Sequence, residues 1–325
     1  MNSFGHNFSI TVFGESHGEC VGVVIDGVPP GVSISQTDFY HDLGRRRAVM
    51  PGTTARNEKD TPRIISGIYE GTSTGAPLTI IFENGDTRPD DYSHFTEHPR
   101  PSHADLTARI KYKGFNDPNG GGMFSGRLTV CLVAAGVVAK KLLPDVTFET
   151  KIAEIGGCDD PERFDEIINA VASEGNSVGA IVQTIVNGTG TGLGEPFFDS
   201  TESVISHLLF SIPAVKGVEF GAGFGVARKI GSENNDTIVN PNGTTLTNND
   251  GGINGGITNG NPLIVRAAIK PTPSIYKPQH TYNFARGGIE KIEIKGRHDA
   301  CIAPRAAVVI EAAVAIALAD LSARR

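Results

Sequence analysis

A mixed α and β architecture is predicted by three features of the 325-residue chain. Phe8 to Phe13 and Val21 to Ile25 have the alternation and β-branched content of strands. Two Ala/Val-rich runs, Leu128 to Leu143 and Arg305 to Leu321, are long and apolar enough to be buried helices. Glycine supplies 40 residues, about 12% against a usual ~7%, clustered in loops without a collagen-like period. Such loops let backbone approach a ligand closely.

In chain order, the first strand runs into Gly14-Glu15-Ser16-His17-Gly18, which sets His17 on a turn before the second strand. Asp26-Gly27-Val28-Pro29-Pro30-Gly31 is a turn cluster. Ser35 to Leu43 reads as a short helix, N-capped by Ser35, that leads to Arg45-Arg46-Arg47. Glu83 to Asp105 contains Pro89, Pro99 and Pro101 among histidines and acids without a period, so a loop carrying His103, ordered around ligand, is expected. Gly120-Gly121-Gly122 and a capping Ser125 precede the first long helix, and Pro161 to Ser173 reads as another helix.

Gly231 to Gly260, rich in Asn, Gly and Thr, is expected to be a long loop, either near a site or a flexible excursion. Leu263 to Lys270 is strand-like and ends in Lys270-Pro271-Thr272-Pro273-Ser274, which cannot be helical. Gly296-Arg297-His298-Asp299 then leads through Pro304 into the last helix. This repeats the glycine, arginine and helix arrangement around Arg127. It suggests two pseudo-repeated halves within one domain spanning 1–325, although the segments share too little sequence to establish a repeat.

Composition narrows the function. A net charge of −7 argues against a nucleic-acid or membrane-surface role for the whole molecule. The first residues lack the basic start and apolar stretch of a secretory signal, and no apolar run reaches the ~18 residues of a membrane span, so a soluble chain is expected. Cys20, Cys131, Cys158 and Cys301 form no C-x-x-C pair, which signals neither zinc nor a disulfide framework and fits a reducing cytoplasm.

Helix N-termini flanked by Arg127 and Arg297 suit an anionic ligand, since they present unpaired N–H groups and partial positive charge. The alternative is that the glycines there only permit close helix packing. Arg45-Arg46-Arg47 fits either a phosphate or carboxylate clamp or a solvated face. His17, between glycines, is freer to reach a ligand than a core histidine would be, and an imidazole titrates near neutral pH. His94, His98, His103 and Asp105 invite a metal reading, but the intervening prolines and absent regular spacing disfavour it, and no metal is expected. His298-Asp299 fits either chemistry or a cap on the last helix.

Gly14-Glu15-Ser16-His17-Gly18 with Val21 to Pro29, Arg100-Pro101-Ser102-His103-Ala104-Asp105, Gly120 to Thr129, and Arg297-His298-Asp299 followed by Glu311 together resemble the chorismate synthase family. Ala76 to Asp86, Val215 to Glu219 and Gly251-Gly252-Ile253 extend the resemblance essentially end to end. The chain departs from the family pattern at Ser102, where glycine is common, at Met123-Phe124 in place of Arg-Ser, and at Ala300. The segment from Ala48 to Gly52 is longer than usual, so a second basic residue expected downstream of the triplet has no counterpart.

The resemblance implies an α+β fold of two packed antiparallel sheets with helices on the outer faces, assembled as a homotetramer. It implies a cytoplasmic shikimate-pathway lyase that converts 5-enolpyruvylshikimate 3-phosphate to chorismate and phosphate, with reduced FMN required but not consumed. An external, NADP-linked flavin reductant is implied, because the family pattern leaves no room for a fused flavin-reductase domain. His17 is assigned to the leaving phosphate, and His103 to the ionisation state of the flavin. Asp299, acting with flavin N5, is assigned to the C6 proton. Substrate anions fall to Arg46, Arg127 and Arg297. Flavin contacts fall to Met123, Phe124, Ser125, Ala214, Gly255, Lys270, Pro271, Thr272, Pro273, Ser274 and Arg297. A flavin-dependent oxidoreductase and a silent flavin- or phosphate-binding protein are the two competing classes.

Overall fold

The computed structural model describes residues 2–47, 53, 59–85, 95–294, 296 and 298–323. Near the N-terminus, β1 (Ser3–Phe4), β2 (Ser9–Gly14) and β3 (Cys20–Asp26) form an antiparallel meander. They are followed by β4 (Arg63–Ser66), a short hairpin of β5 (Ile68–Tyr69) and β6 (Thr72–Ser73), and β7 (Leu78–Glu83). The main strands make a five-stranded sheet in the order β1-β2-β3-β7-β4. Val21, Val23 and Ile25 of β3 and Leu78, Ile80 and Phe82 of β7 are buried, the period of two that an inward sheet face requires.

The second sheet is built from β8 (Thr147–Ile155), β9 (Ala180–Asn187), β10 (Val215–Phe220) and, after the short hairpin of β11 (Ile253–Asn254) and β12 (Ile257–Thr258), β13 (Leu263–Ile269). Its order is β10-β13-β9-β8, antiparallel throughout. A further pair, β14 (Gln279–Tyr282) and β15 (Ile289–Ile292), stands apart from both sheets.

Seven α-helices lie among the described residues: α1 (Tyr40–Arg46), α2 (Asp105–Lys111), α3 (Thr129–Lys141), α4 (Phe164–Ser173), α5 (Thr201–Ser211), α6 (Gly231–Asn234) and α7 (Ala303–Ser322). Ser35 starts a 3-10 turn, its N–H donating to the Asp38 carboxylate at 2.7 Å, and α1 continues past Leu43 to carry Arg45 and Arg46. Ser125 caps as expected, its Oγ accepting the Arg127 N–H at 3.3 Å.

The α+β class with two antiparallel sheets is what the chain forms, but the two long helices lie between the sheets and not on their outer faces. α3 packs on β2, β3 and β7, α7 packs on β8 and β9, and the helices pack on each other. The reason is in their composition. Val130 to Ala139 and Val308 to Leu321 are buried without a break, and helices apolar on nearly every side, with Glu311 and Asp320 paired inside the protein, have no face to give to water. One contiguous core runs from Phe8 through both helices to Leu321.

The segment 231–260 is held by its own polar side chains. The Asp236 carboxylate accepts from the Thr247 hydroxyl at 2.6 Å and from the Asn249 and Asp250 N–H groups at 2.8 and 2.9 Å. These are the local side-chain to backbone bonds that Asn and Asp offer an irregular chain.

Candidate active site

A cavity of about 1090 Å³ opens where α3 and α7 begin, bounded by the first turns of both helices, the α1 terminus, the 102–104 and 123–127 segments, and the ends of β10 and β13. Two N-terminal helix ends facing one space give it a positive potential before any side chain is counted.

α1 separates the arginine triplet by role. Arg45 turns to the protein interior, where its two Nη atoms donate to Glu311 at 2.7 Å. Arg46 lines the cavity, with Nη1 on Asp60 at 3.0 Å, Nη2 on the Gly126 carbonyl at 3.0 Å and Nε on Thr129 Oγ1 at 3.2 Å. Arg127 donates to the other oxygen of Asp60, to Asn84 Oδ1 at 2.9 Å and to the Glu83 carbonyl at 3.2 Å. Burial, with Arg127 and Arg305 close by, pulls Arg46 down to about 10 against the opposing pull of Asp60, which leaves it cationic at neutral pH. The Arg46–Asp60–Arg127 group therefore presents a net positive charge that is already oriented.

His17 sits on the turn after β2, its Nδ1 3.3 Å from Ser16 Oγ. Ser16 donates its N–H to the Gly122 carbonyl at 3.2 Å, and a side chain at Gly120 would collide with the His17 ring. Glycines 120 to 122 all adopt positive φ, so this run fits against the histidine turn only as glycine. His17 is not itself a cavity-lining residue; it meets the site through Gly120, which is.

His103 lines the cavity beside Ser102, a non-glycine residue at φ 58° that keeps the left-handed backbone a glycine would adopt. Its Nδ1 is 2.6 Å from Asp105 Oδ1. Asp105 in turn accepts from the Arg100 N–H at 3.0 Å and from Arg100 Nε and Nη2 at 2.8 Å each. His98 turns elsewhere, to Glu290 at 2.8 Å, and His94 lies outside the described residues.

The remaining wall joins the segments predicted to hold a flavin. Met123, Phe124, Ser125, Ala214, Lys270, Thr272, Pro273 and Ser274 all line the cavity. Pro271 sits between lining residues without lining it, and Gly255 lies in the β11–β12 turn, outside the lining set. Asp299 lines the cavity, 3.8 Å from Arg305 Nε, and Arg297 lies outside the described residues. None of the segment 231–260 lines the cavity.

Several groups escape a reading by motif. Asp60 and Asn84 become visible only when folding brings Arg127 to them, and Arg305 enters one turn into α7. Lys216 lines the cavity because a β-bulge between Val215 and Gly217 makes it the extra residue opposite β13. Bulges re-aim side chains in this way. Burial, with Lys216 second, lowers the Lys270 ammonium, so the two cations share one wall.

The family model described as chorismate synthase matches residues 8–322. A curated chorismate synthase of Chitinophaga pinensis is 55% identical over 98% of this chain and 96% of its own length. One of Pyrococcus abyssi is 45% identical over 97% and 96%. A crystal structure of chorismate synthase superposes with a TM-score of 0.74 at 26% identity, covering 98% of this chain and 92% of that one.

Proposed function

From the premise that the chain belongs to the chorismate synthase family of carbon–oxygen lyases, we propose that it eliminates the 3-phosphate and a C6 hydrogen from 5-enolpyruvylshikimate 3-phosphate. The products are chorismate and phosphate on the shikimate route to aromatic amino acids, with reduced FMN required and not consumed. The observation that carries this reading is one cavity of about 1090 Å³ in which two helix N-termini, the Arg46–Asp60–Arg127 group and an apolar Met123–Phe124 wall meet. That volume is just above the ~300–1,000 Å³ usual for one small ligand, room for a substrate beside a flavin.

The residues present fit the flavin. Thr272 Oγ1 is buried with no hydrogen-bond partner among the described residues, a polar atom that a ligand would satisfy. Lys270, Ser274, Ser125 and the Ala214 backbone would supply polar contacts, with Met123 and Phe124 as the apolar face. Gly255 and Arg297 belong to the same proposed set. When bound, the reduced isoalloxazine supplies the electron-rich group that acids, bases and cations of the chain lack.

The chain's own residues bind and move protons. Arg46 and Arg127, with Arg297, supply the positive charge that attracts substrate anions. Protonated His17 neutralises the departing phosphate, Asp299 takes part in removing the C6 proton, and His103 would hold the proton that sets the ionisation state of a bound flavin. The protein works as a single domain of two halves, as a cytoplasmic homotetramer supplied with reduced flavin from outside, by an NADP-linked route. No helix among the described residues is long and apolar enough to cross a membrane.

The test is an anaerobic assay with 5-enolpyruvylshikimate 3-phosphate and flavin at a small fraction of substrate, reduced once. Many chorismates per reduced flavin are expected. One product per flavin oxidised, or net NADPH turnover, would move the assignment to an oxidoreductase, and flavin binding without product would make it a binding protein. His17→Ala should keep the fold and lower turnover by ~10²–10⁴; wild-type turnover in that variant would remove His17 from the mechanism.

A further inference from the structure

The Arg100–Asp105–His103 chain of contacts has a directional consequence. A separation of 2.6 Å between His103 Nδ1 and Asp105 Oδ1 requires a proton between them, because an ionised carboxylate only accepts. Asp105 stays ionised: burial opposes its charge, but hydrogen bonds from Arg100 and His103 outweigh that and hold the carboxyl well below the usual range. Arg100 Nη2, 3.1 Å from the same Nδ1, is a donor that competes for an Nδ1 lone pair, but it already donates to Asp105 Oδ1 at 2.8 Å, and the 2.6 Å Nδ1–Oδ1 contact, the shorter of the two at Nδ1, decides for Asp105 as acceptor. With Nδ1 tied back, Nε2 is the ring nitrogen left for the cavity that His103 lines.

We propose that Asp105 is the positioning residue of the site: its carboxylate, locked by Arg100, fixes the His103 proton on Nδ1 and so makes Nε2 the atom that exchanges a proton with the bound ligand. The lock is rigid because Arg100 is itself buried, with Nη1 on Ser274 Oγ at 3.3 Å and its guanidinium over the Phe95 ring at 4.3 Å. Ser274 lines the same cavity, so the hydrogen-bonded chain runs from one wall of the site to another. The importance of the proton exchange rests on the proposed reaction; the assignment of the proton to Nδ1 does not.

Asp105→Asn inverts the tautomer. Oδ2 takes two donors from Arg100, the backbone N–H and Nε, whereas Oδ1 takes Nη2 and His103. The amide oxygen therefore settles in the Oδ2 position and the amide nitrogen faces His103 Nδ1 as a donor, driving the ring proton to Nε2. Long-range 1H–15N spectra of the imidazoles, with His103→Ala to identify its resonances, read this directly. At a pH where the ring is neutral, wild type should carry the proton on Nδ1 and the variant on Nε2. Turnover of Asp105→Asn should fall about 10²-fold, with substrate KM held within about threefold.

A neutral wild-type ring protonated on Nε2 overturns the proposal, and this holds even if the variant fails to fold. So does an Asp105→Asn enzyme with wild-type turnover, or one that loses turnover with its proton still on Nδ1. A wild-type protein that forms no chorismate would instead refute the proposed reaction while leaving the tautomer measurement decisive.

Discussion

Asp60 sets one carboxylate against two guanidinium groups, and Asp60, Arg46 and Arg127 are all buried. Asp60 also has φ 47°, a left-handed conformation that Asn tolerates nearly as well, so Asp60→Asn changes the charge with little backbone strain. Removing one member of a buried ionic group leaves uncompensated charge and typically costs ~3–5 kcal/mol. Urea denaturation should show a loss of that order, and inorganic phosphate should stabilise the variant more than wild type, because an anion restores the missing charge. An unchanged urea midpoint would mean that the two arginines do not depend on Asp60. Arg127 was legible in the sequence beside a glycine-led helix start, and Arg46 in the arginine triplet. Asp60 was not, because it is 67 positions from Arg127 and nothing local marks it. Asp105 was in a quoted motif, but its function is a distance to His103, and spacing alone does not give a distance.

Three helices meet at a second ionic cluster, away from the cavity. Asp42 of α1, Lys140 of α3 and Glu311 of α7 are joined with Arg45: Lys140 Nζ lies 2.6 Å from Asp42 and 2.5 Å from Glu311. Both carboxyls are lowered from their ordinary values of 3.8 and 4.5, because pairing with Lys140 and Arg45 outweighs the opposing effect of burial. Their contribution to stability is therefore complete above about pH 4.5 and is lost as pH falls through the depressed folded values. Glu311→Gln should be less stable than wild type at pH 7, by about 3 kcal/mol, and the gap should narrow in acid. A gap that stays constant from neutral pH to pH 3 would mean that the Glu311 charge is not the source of the stability. At this scale the sequence was readable where composition is one-sided: the two apolar helices and the three strands read at Phe8 to Phe13, Val21 to Ile25 and Leu263 to Lys270 lie close to where their residues require. The layer in which a helix sits was less readable, because burial on all sides says that a helix is covered and not by what. Gly231 to Gly260 was ambiguous for the opposite reason, since Asn and Asp serve equally to solvate a mobile loop and to tie an ordered one.

The whole molecule depends on the seam between α3 and α7, since each helix carries one sheet and their contact joins the two halves into one core. That the chain would be α+β followed from alternation and length; how closely its halves approach is a property of one residue on the seam. A methyl group at Gly136 would lie well inside van der Waals contact of the Ala312 side chain and backbone. Gly44, in α1, is also helical, but none of the described residues lies within 4 Å of where its methyl would be. The same substitution should therefore act with opposite signs. Alanine in place of glycine favours a helix by up to ~1 kcal/mol, so Gly44→Ala should raise stability by about that amount. At Gly136 the gain is opposed by overpacking, which costs ~1–3 kcal/mol in a close-packed interior, and more if the helices must separate and loosen both sheets. Gly136→Ala should thus be the less stable by urea denaturation, and because the starts of α3 and α7 bound the cavity, it should also weaken binding of anions there. Two variants stabilised equally would show that helix propensity alone decides both positions and that the halves are not held at the distance Gly136 permits.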